Sequence, residues 1–453
     1  MTNGERSKRM SAGKIGQLEQ GSGKRADGLA SRSTLTVIDN RTGERFELPI
    51  DDGAVRGSEL GRRADGLALY DPGLSSTAVC RSAITHIDGE AGVLQHRGYR
   101  IEALCERSNF LELAYLLING ELPTAAQYES WLHEIGSRNF VHENVKGFIE
   151  GFRYDARPIA MVAASAGALS SFYTDADHVH DEKARELQVV RLLAKLPTLA
   201  AFSYRHLQGL PYVHPEDHLS YTGNLLSMMF RMSELRYTPD PVIERALDVL
   251  LMLHADHEQN ASTTAVRAVG STHVNPYAAV AAGVTALSGP MRGGAAQDVL
   301  TMLRGIGSPS QVPQFLARVK SEHERLLGFG HWVYKTYDPR ARVLRRQLEQ
   351  LYEHCRPDPL FAIADELEQQ VLDDEYFTSR RLYPNLDLYS GLTYEALGIA
   401  PPMFPVMFAL ARSAGWIAQW VEMVKDPEQT AFRPLQLYTG ALDREYVNLG
   451  ERG

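Results

Sequence analysis

The stretch from Pro402 to Val424, PMFPVMFALARSAGWIAQWVEMV, limits the fold more than any other part of the chain. It is apolar on most faces at helical spacing, the pattern of a helix enclosed in a large bundle or an interface. One cation, Arg412, stands in its middle. A buried guanidinium is costly unless paired, so this segment calls for an internal anion or an anionic ligand. The DHEQ run (256–259) is one structural source of that anion. Nowhere does an uninterrupted apolar stretch approach the ~20 residues of a membrane span.

The helical pattern runs almost throughout from about Leu111. FLELAYLLINGELPT places a helix end at Asn119-Gly120, with Pro123 opening the next element. PVIERALDVLLMLHADHEQ puts Ile243, Ala246, Leu247, Leu250, Leu251 and His254 on one face. Ahead of the helices, STLTVIDNRTGERFELPIDDG carries two β-prone runs around Asn40-Arg41-Thr42-Gly43, a hairpin pattern. Strand signals are nearly absent after residue 55. Residues 1–33 are rich in Gly, Ser, Lys and Arg and poor in large apolar side chains, so a disordered tail is expected. The expected fold is all-α with a small N-terminal β appendage. At 453 residues the chain exceeds the roughly 250–300 at which one core stops growing, so more than one domain is expected.

A formal net charge of -9 excludes a general nucleic-acid binder, which needs a basic face, but leaves room for a basic pocket holding a small anion. Three scattered cysteines form neither a disulfide framework nor a metal signature. The basic N-terminus lacks the apolar core of a secretory signal, so a cytoplasmic protein is expected.

Four segments concentrate unusual side chains. HADHEQNAST holds His254, His257 and Asn260. LGFGHWVYKTYDPRA sets Gly328 and Gly330 before His331, with Lys335 and Arg340 following. YPNLDLYSG places Asp387 after a Pro384-Asn385 break, and ALARSAGW with FRPLQLYTG adds Arg412 and Arg433. Each has a plain structural reading. His254 and His257 lie one turn apart, yet no third ligand accompanies them, so no metal is expected and His254 alone reads as a satisfied buried histidine. His331 reads equally as a turn residue, Asp387 as a helix N-cap, and Arg340 as a cap of the preceding turn.

Taken in order, SAITHIDGEAGVLQHRGY, LHADHEQNASTTAVR, GFGH, YDPRA, YPNLDLYSG, ARSAGWIAQW and RPLQLYTG resemble the citrate synthase family from about Leu67 to Gly440. The hairpin ahead of them resembles the appendage of the bacterial, type II-like form. The resemblance implies condensation of acetyl-CoA with oxaloacetate to give citrate and CoA, or a 2-methylcitrate synthase-like variant of that reaction. No tightly held cofactor is implied; CoA enters as cosubstrate. By motif match, Arg340, Arg412 and Arg433 would hold the two carboxylates, Arg433 reaching in from the partner of a homodimer, itself able to build a hexamer. His257 would bind the substrate, His331 would polarise and protonate the keto oxygen, and Asp387 would take the methyl proton. Lys335 would face the CoA phosphates, and the backbone of Leu327, Gly328, Phe329 and Gly330 the adenine. The implied division is a β-hairpin region at 34–66, a large helical domain at 67–293 with 399–453, and a small domain at 294–398 carrying the base.

One position departs from the family pattern. Where the family reads Gly-Pro-x-His-Gly-Gly, this chain reads Gly289-Pro290-Met291-Arg292-Gly293-Gly294. Arginine is a permanent donor that hardly yields a proton. Arg292 is therefore expected to stabilise an enolate electrostatically, to refit the pocket for another acyl donor, or to mark a non-catalytic keto-acid-binding sensor or regulatory paralogue. Retention of the other matching residues favours an enzyme.

Overall fold

The computed structural model describes residues 33–233, 236–289 and 294–452, so the expected N-terminal tail lies outside it apart from Ser33. These residues fall into two units, divided at Cys80/Arg81 and Pro434/Leu435.

In the first unit, β1 (Thr34–Asp39) pairs antiparallel with β2 (Glu44–Pro49), ending on Asp39 opposite Glu44. The expected hairpin is present. Gly43 closes its loop at φ +77°, donating its N–H to the Asp39 carbonyl at 2.7 Å. Phe46 and Leu48 alternate inward and meet Ala64, which follows the Gly57–Arg63 helix, in a small separate core.

The second unit is helical, and several of its helices begin alike. Asp240-Pro241, Asn275-Pro276, Asp338-Pro339 and Asp358-Pro359 each set an acidic or amide cap before proline at the first helical position. The cap side chain accepts an otherwise unpaired backbone N–H, and proline has none to leave unpaired. Helix Phe110–Asn119 ends where expected, with Gly120 at φ +97°. The helix Phe404–Lys425 is buried on nearly all sides, Trp416 and Trp420 completely.

One feature differs from the sequence reading. β3 (Thr85–Asp88), β4 (Val93–His96) and β5 (Tyr99–Arg100) form a three-stranded antiparallel sheet. Strands of two to four residues give too few alternations to stand out as a periodic signal.

Among the helices from 295 to 396, Ala295–Ile306 packs on Asp387–Ala396 and Pro359–Asp373, and Pro339–His354 bridges from Asp387–Ala396 to Pro241–His254. Glu368 pins this group together. Its buried carboxylate accepts from Tyr337 Oη at 2.8 Å, from Arg345 Nη1 at 3.1 Å and, at very short range, from Tyr389 Oη.

Candidate active site

The helix Pro241–His254 delivers His254 at its last turn, and the tight turn after it delivers His257. The Phe404–Lys425 helix crosses this turn in backbone contact. Gly415 N–H donates to the Ala255 carbonyl at 3.1 Å, and a Cβ on Gly415 would lie 2.3 Å from that oxygen. Only glycine permits this approach, which brings Arg412 Nε onto the His254 carbonyl and its guanidinium 4.7 Å from the centre of the Phe408 ring. The DHEQ segment anticipated as a source of negative charge does contribute: Arg412 acts electrostatically on fully buried Asp256, whose carboxyl burial pushes upward.

Asp338 caps the Pro339–His354 helix and also grips the side chain of Arg340, Oδ1 accepting from Nε at 3.1 Å and Oδ2 from Nη2 at 2.8 Å. Arg340 is thus not the cap; it is capped and clamped. Burial opposes its charge, but the Asp338 carboxylate more than restores it, and its pKa rises. Asp338 was not singled out from the sequence, though YDPRA contains it. The clamp is a side-chain geometry that linear spacing does not display.

His331 follows a backbone built by glycines. Gly328 and Gly330 adopt φ of +79° and +76°, which side-chain-bearing residues avoid. Gly330 N–H donates to Tyr383 O at 2.7 Å and Asn385 N–H to Gly328 O at 2.9 Å, while Asn385 Nδ2 donates to Gly330 O at 2.8 Å. Asn385 also accepts from Asp387 N–H at 2.9 Å, so one amide ties the 327–330 loop to Asp387. From the other side, the turn between β3 and β4 presses on 333–335: Lys335 N–H donates to Gly89 O at 2.8 Å, and a Cβ on Gly89 would lie 2.2 Å from Val333 O. Lys335 itself donates Nζ to Trp332 O at 2.7 Å and Phe329 is buried.

These segments bring His257, His331 and Arg340 around one centre. The His257 and His331 rings lie 5.2 Å apart, and Tyr334 sits 5.6 Å and 5.0 Å from them, with the Arg340 guanidinium 5.6 Å over its ring. His331 Nδ1 accepts the N–H groups of Val333 at 3.0 Å and Tyr334 at 3.3 Å, which assigns the ring proton to Nε2. His257 is pushed well below the usual histidine range, first by burial, then by Arg340, His331 and Arg412. Its Nε2 is buried without a hydrogen-bond partner among the described residues. The sequence reading missed His96, on β4, whose Nδ1 lies 2.9 Å from Thr85 Oγ1. Burial, then Arg412 and Arg340, lower its pKa to about 3. Two guanidinium groups therefore act on a nest of neutral imidazoles, an arrangement that favours a bound anion.

Asp387 opens the Asp387–Ala396 helix but is not its N-cap; that position is Leu386, without a side-chain cap. Its carboxylate acts on Arg340 and on Tyr394. Arg433 is not brought to this centre by described contacts. It is exposed beyond the last long helix, without a hydrogen bond or ion pair to described residues. Arg292 lies outside the described residues. Among the described residues no cluster of three or more His, Cys, Asp or Glu side chains could hold a metal ion, and no helix is long and apolar enough to cross a membrane.

Known proteins resemble this chain in sequence and fold. A family model for the C-terminal domain of citrate synthase matches residues 73–435. The peroxisomal citrate synthase of Dictyostelium discoideum is 47% identical over 433 residues, spanning 93% of this chain and 88% of that protein. A second citrate synthase of that organism is 46% identical, with 93% and 85% covered. Among solved structures, citrate synthase from Pyrobaculum aerophilum aligns with a TM-score of 0.79 and 34% identity, covering 85% of this chain and 97% of that one. The Thermoplasma acidophilum enzyme, in ternary complex with carboxymethyl coenzyme A and oxaloacetate, aligns at 0.76 and 29%, covering 84% and 98%.

The expectation of a cytoplasmic location is overturned by the peroxisomal relative. Peroxisomal addresses are short and receptor-read, so lack of an apolar secretory core never separated the two compartments. With the fold, the motif order and these likenesses in agreement, the chain belongs to the citrate synthase family.

Proposed function

We infer that this chain condenses acetyl-CoA with oxaloacetate and hydrolyses the citryl thioester to citrate and CoA. The observation that carries this reading is the gathering of Arg340, His257 and His331 about the Tyr334 ring, with Arg412 held on the His254 carbonyl three residues before His257. A dianionic keto acid fits it: planar guanidinium groups take carboxylates, and neutral imidazoles supply directed N–H donors.

In this reading His331 Nε2–H meets the keto oxygen and donates as negative charge grows there, its tautomer already fixed by the Val333 and Tyr334 amides. Asp387 removes a proton from the acetyl methyl group, and the resulting carbanion attacks the keto carbon. Arg292 stabilises the thioester enolate as a permanent donor, so the intermediate stays an enolate. Arg433 of the partner subunit completes the carboxylate cage, making a dimer the catalytic unit, and the β1–β2 hairpin supports a type II-like subtype able to form hexamers. Lys335 and the Leu327–Gly330 loop face CoA, a role supported by the loop's left-handed glycines. We assign residues 294–398 to a small lobe that closes over the large domain of 67–293 and 399–453 and excludes water.

The test is to mix the protein with acetyl-CoA and oxaloacetate and follow free thiol. Release of thiol is expected. Binding of oxaloacetate by calorimetry without thiol release would instead assign the chain to keto-acid sensing. Replacing Arg292→His then reads the acyl side: slower turnover means that arginine is integrated in this site, and faster turnover means that another acyl-CoA is the better substrate.

A further inference from the structure

We propose that Ser390 and Tyr394 seat a water molecule beside Asp387, and that this water is the nucleophile that cleaves the citryl thioester. The proposal rests on the acyl-transfer reading above. Asp387, Ser390 and Tyr394 stand at i, i+3 and i+7 of one helix and so share a face. With His254 and the apolar walls of Leu287 and Phe404, they line a cavity of about 30 Å³. A cavity needs roughly 10–15 Å³ to admit one water, which then requires two to four polar partners.

The partners are present. Ser390 and Tyr394 are 1% and 2% exposed, and neither hydroxyl oxygen has a hydrogen-bond partner among the described residues. Burial, then the Asp387 charge, raise the Tyr394 pKa, so its phenol stays protonated and remains a donor. His254 engages the Leu250 carbonyl through Nδ1 at 2.8 Å, which assigns the proton there and leaves Nε2 an acceptor. Two buried, unpaired hydroxyls therefore border a cavity that the acceptor-bearing side chains His254 and Asp387 also line. This set complements water and does not complement an alkyl tail: a methylene group in the same space would leave both buried hydroxyls unpaired, which is costly.

The reaction needs such a water in its second half. With the methyl proton given up and His331 reprotonated through solvent, Asp387 is again a carboxylate; it takes one proton from the water while the oxygen lone pair forms a C–O bond to the thioester carbonyl carbon. The tetrahedral intermediate collapses, the C–S bond breaks, and its electron pair leaves with sulfur. The proton held by Asp387 passes to the thiolate, giving free CoA thiol and the new carboxylic acid, which ionises to solvent. Ser390 and Tyr394 act here as positioning residues for the water.

The experiment separates the two halves of the reaction. Synthetic citryl-CoA reports hydrolysis by thiol release, and deuterium exchange into the methyl group of acetyl-CoA, with malate in place of the keto acid, reports proton removal by Asp387. In the double variant Ser390→Ala/Tyr394→Phe, the ratio of hydrolysis to exchange is expected to fall at least tenfold. A ratio within twofold of that of the unaltered protein, whether both rates drop or neither does, overturns the proposal. If the double variant does not fold, Tyr394→Phe alone, which removes one oxygen, is expected to lower the same ratio at least threefold, and an unchanged ratio overturns the proposal equally. If the unaltered protein neither exchanges nor releases thiol, the acyl-transfer reading fails first. A high-resolution crystal structure then still decides the water seat, by density within hydrogen-bonding distance of Ser390 Oγ and Tyr394 Oη.

Discussion

Asp338 holds Arg340 in a two-point grip, Oδ1 on Nε and Oδ2 on Nη2, while the same carboxylate accepts the N–H of Arg340 at 2.9 Å and of Leu386 at 3.3 Å. One buried acid therefore fixes the start of the Arg340 helix, the direction of its guanidinium and the residue ahead of Asp387. Exchanging this carboxylate for an amide keeps the shape and removes the charge. For Asp338→Asn the KM for oxaloacetate is expected to rise tenfold or more. Breaking a buried pair from one side also costs on the order of 3–5 kcal/mol, so the urea midpoint should fall with it. Steady-state kinetics and urea melts check both.

Gly415→Ala tests the backbone contact behind Arg412. The added Cβ would lie 2.3 Å from Ala255 O and 2.5 Å from Asp256 Oδ1, so the helix and the His257 turn must separate. Overpacking of this kind costs roughly 1–3 kcal/mol. Calorimetry is expected to show weakened oxaloacetate binding, beyond what the lower melting temperature explains.

Stability should depend on pH through the buried imidazoles. His96 and His254 are held at about 3, chiefly by burial, and His257 well below its usual 6.5. Unfolded histidines protonate near pH 6.5, so the unfolded chain binds more protons below that value. The stability these groups give above pH 6.5 is lost as pH falls toward 3. Asp248, raised to about 6 by burial, works in the opposite sense between pH 6 and 3.8, and Asp256 adds to that offset. Urea unfolding at pH 7.5 and 5.5 should differ by a net loss on the order of 3 kcal/mol. Equal stability at the two values would contradict neutral burial.

The large outlines were readable in the sequence because they rest on long signals. The helix around Arg412 shows its burial over more than twenty residues, and the Asn119-Gly120 stop and the β1–β2 hairpin carry strong turn chemistry. What was missed depends on tertiary approach. Asp338, Asn385, His96 and Glu368 look like ordinary polar residues until the chain folds and each becomes the acceptor or neighbour of a group far away in sequence. Asp387 read equally well as an N-cap, a reading that the placement of Leu386 at that position removes. Peptide motifs marked the 327–330 loop, but not the Asn385 amide that ties it to Asp387.

The proposed sharing of the site between two subunits predicts the behaviour of mixtures. Arg433→Ala and Arg412→Ala should each abolish turnover as homodimers. After subunit exchange, a mixed dimer carries both lesions in one site and neither in the other, so part of the activity should return, up to about half per mixed dimer. No recovery despite exchange verified by mass spectrometry would count against Arg433 acting across the dimer.

The most direct measurement compares the unaltered protein with Asp387→Asn in oxaloacetate calorimetry and in thiol release from acetyl-CoA. If guanidinium and imidazole groups bind the keto acid while Asp387 does the proton chemistry, the variant keeps oxaloacetate affinity within a few-fold and loses thiol release by at least about a hundredfold. Thiol release persisting at the unaltered rate, or oxaloacetate affinity lost along with it, would contradict that division of labour.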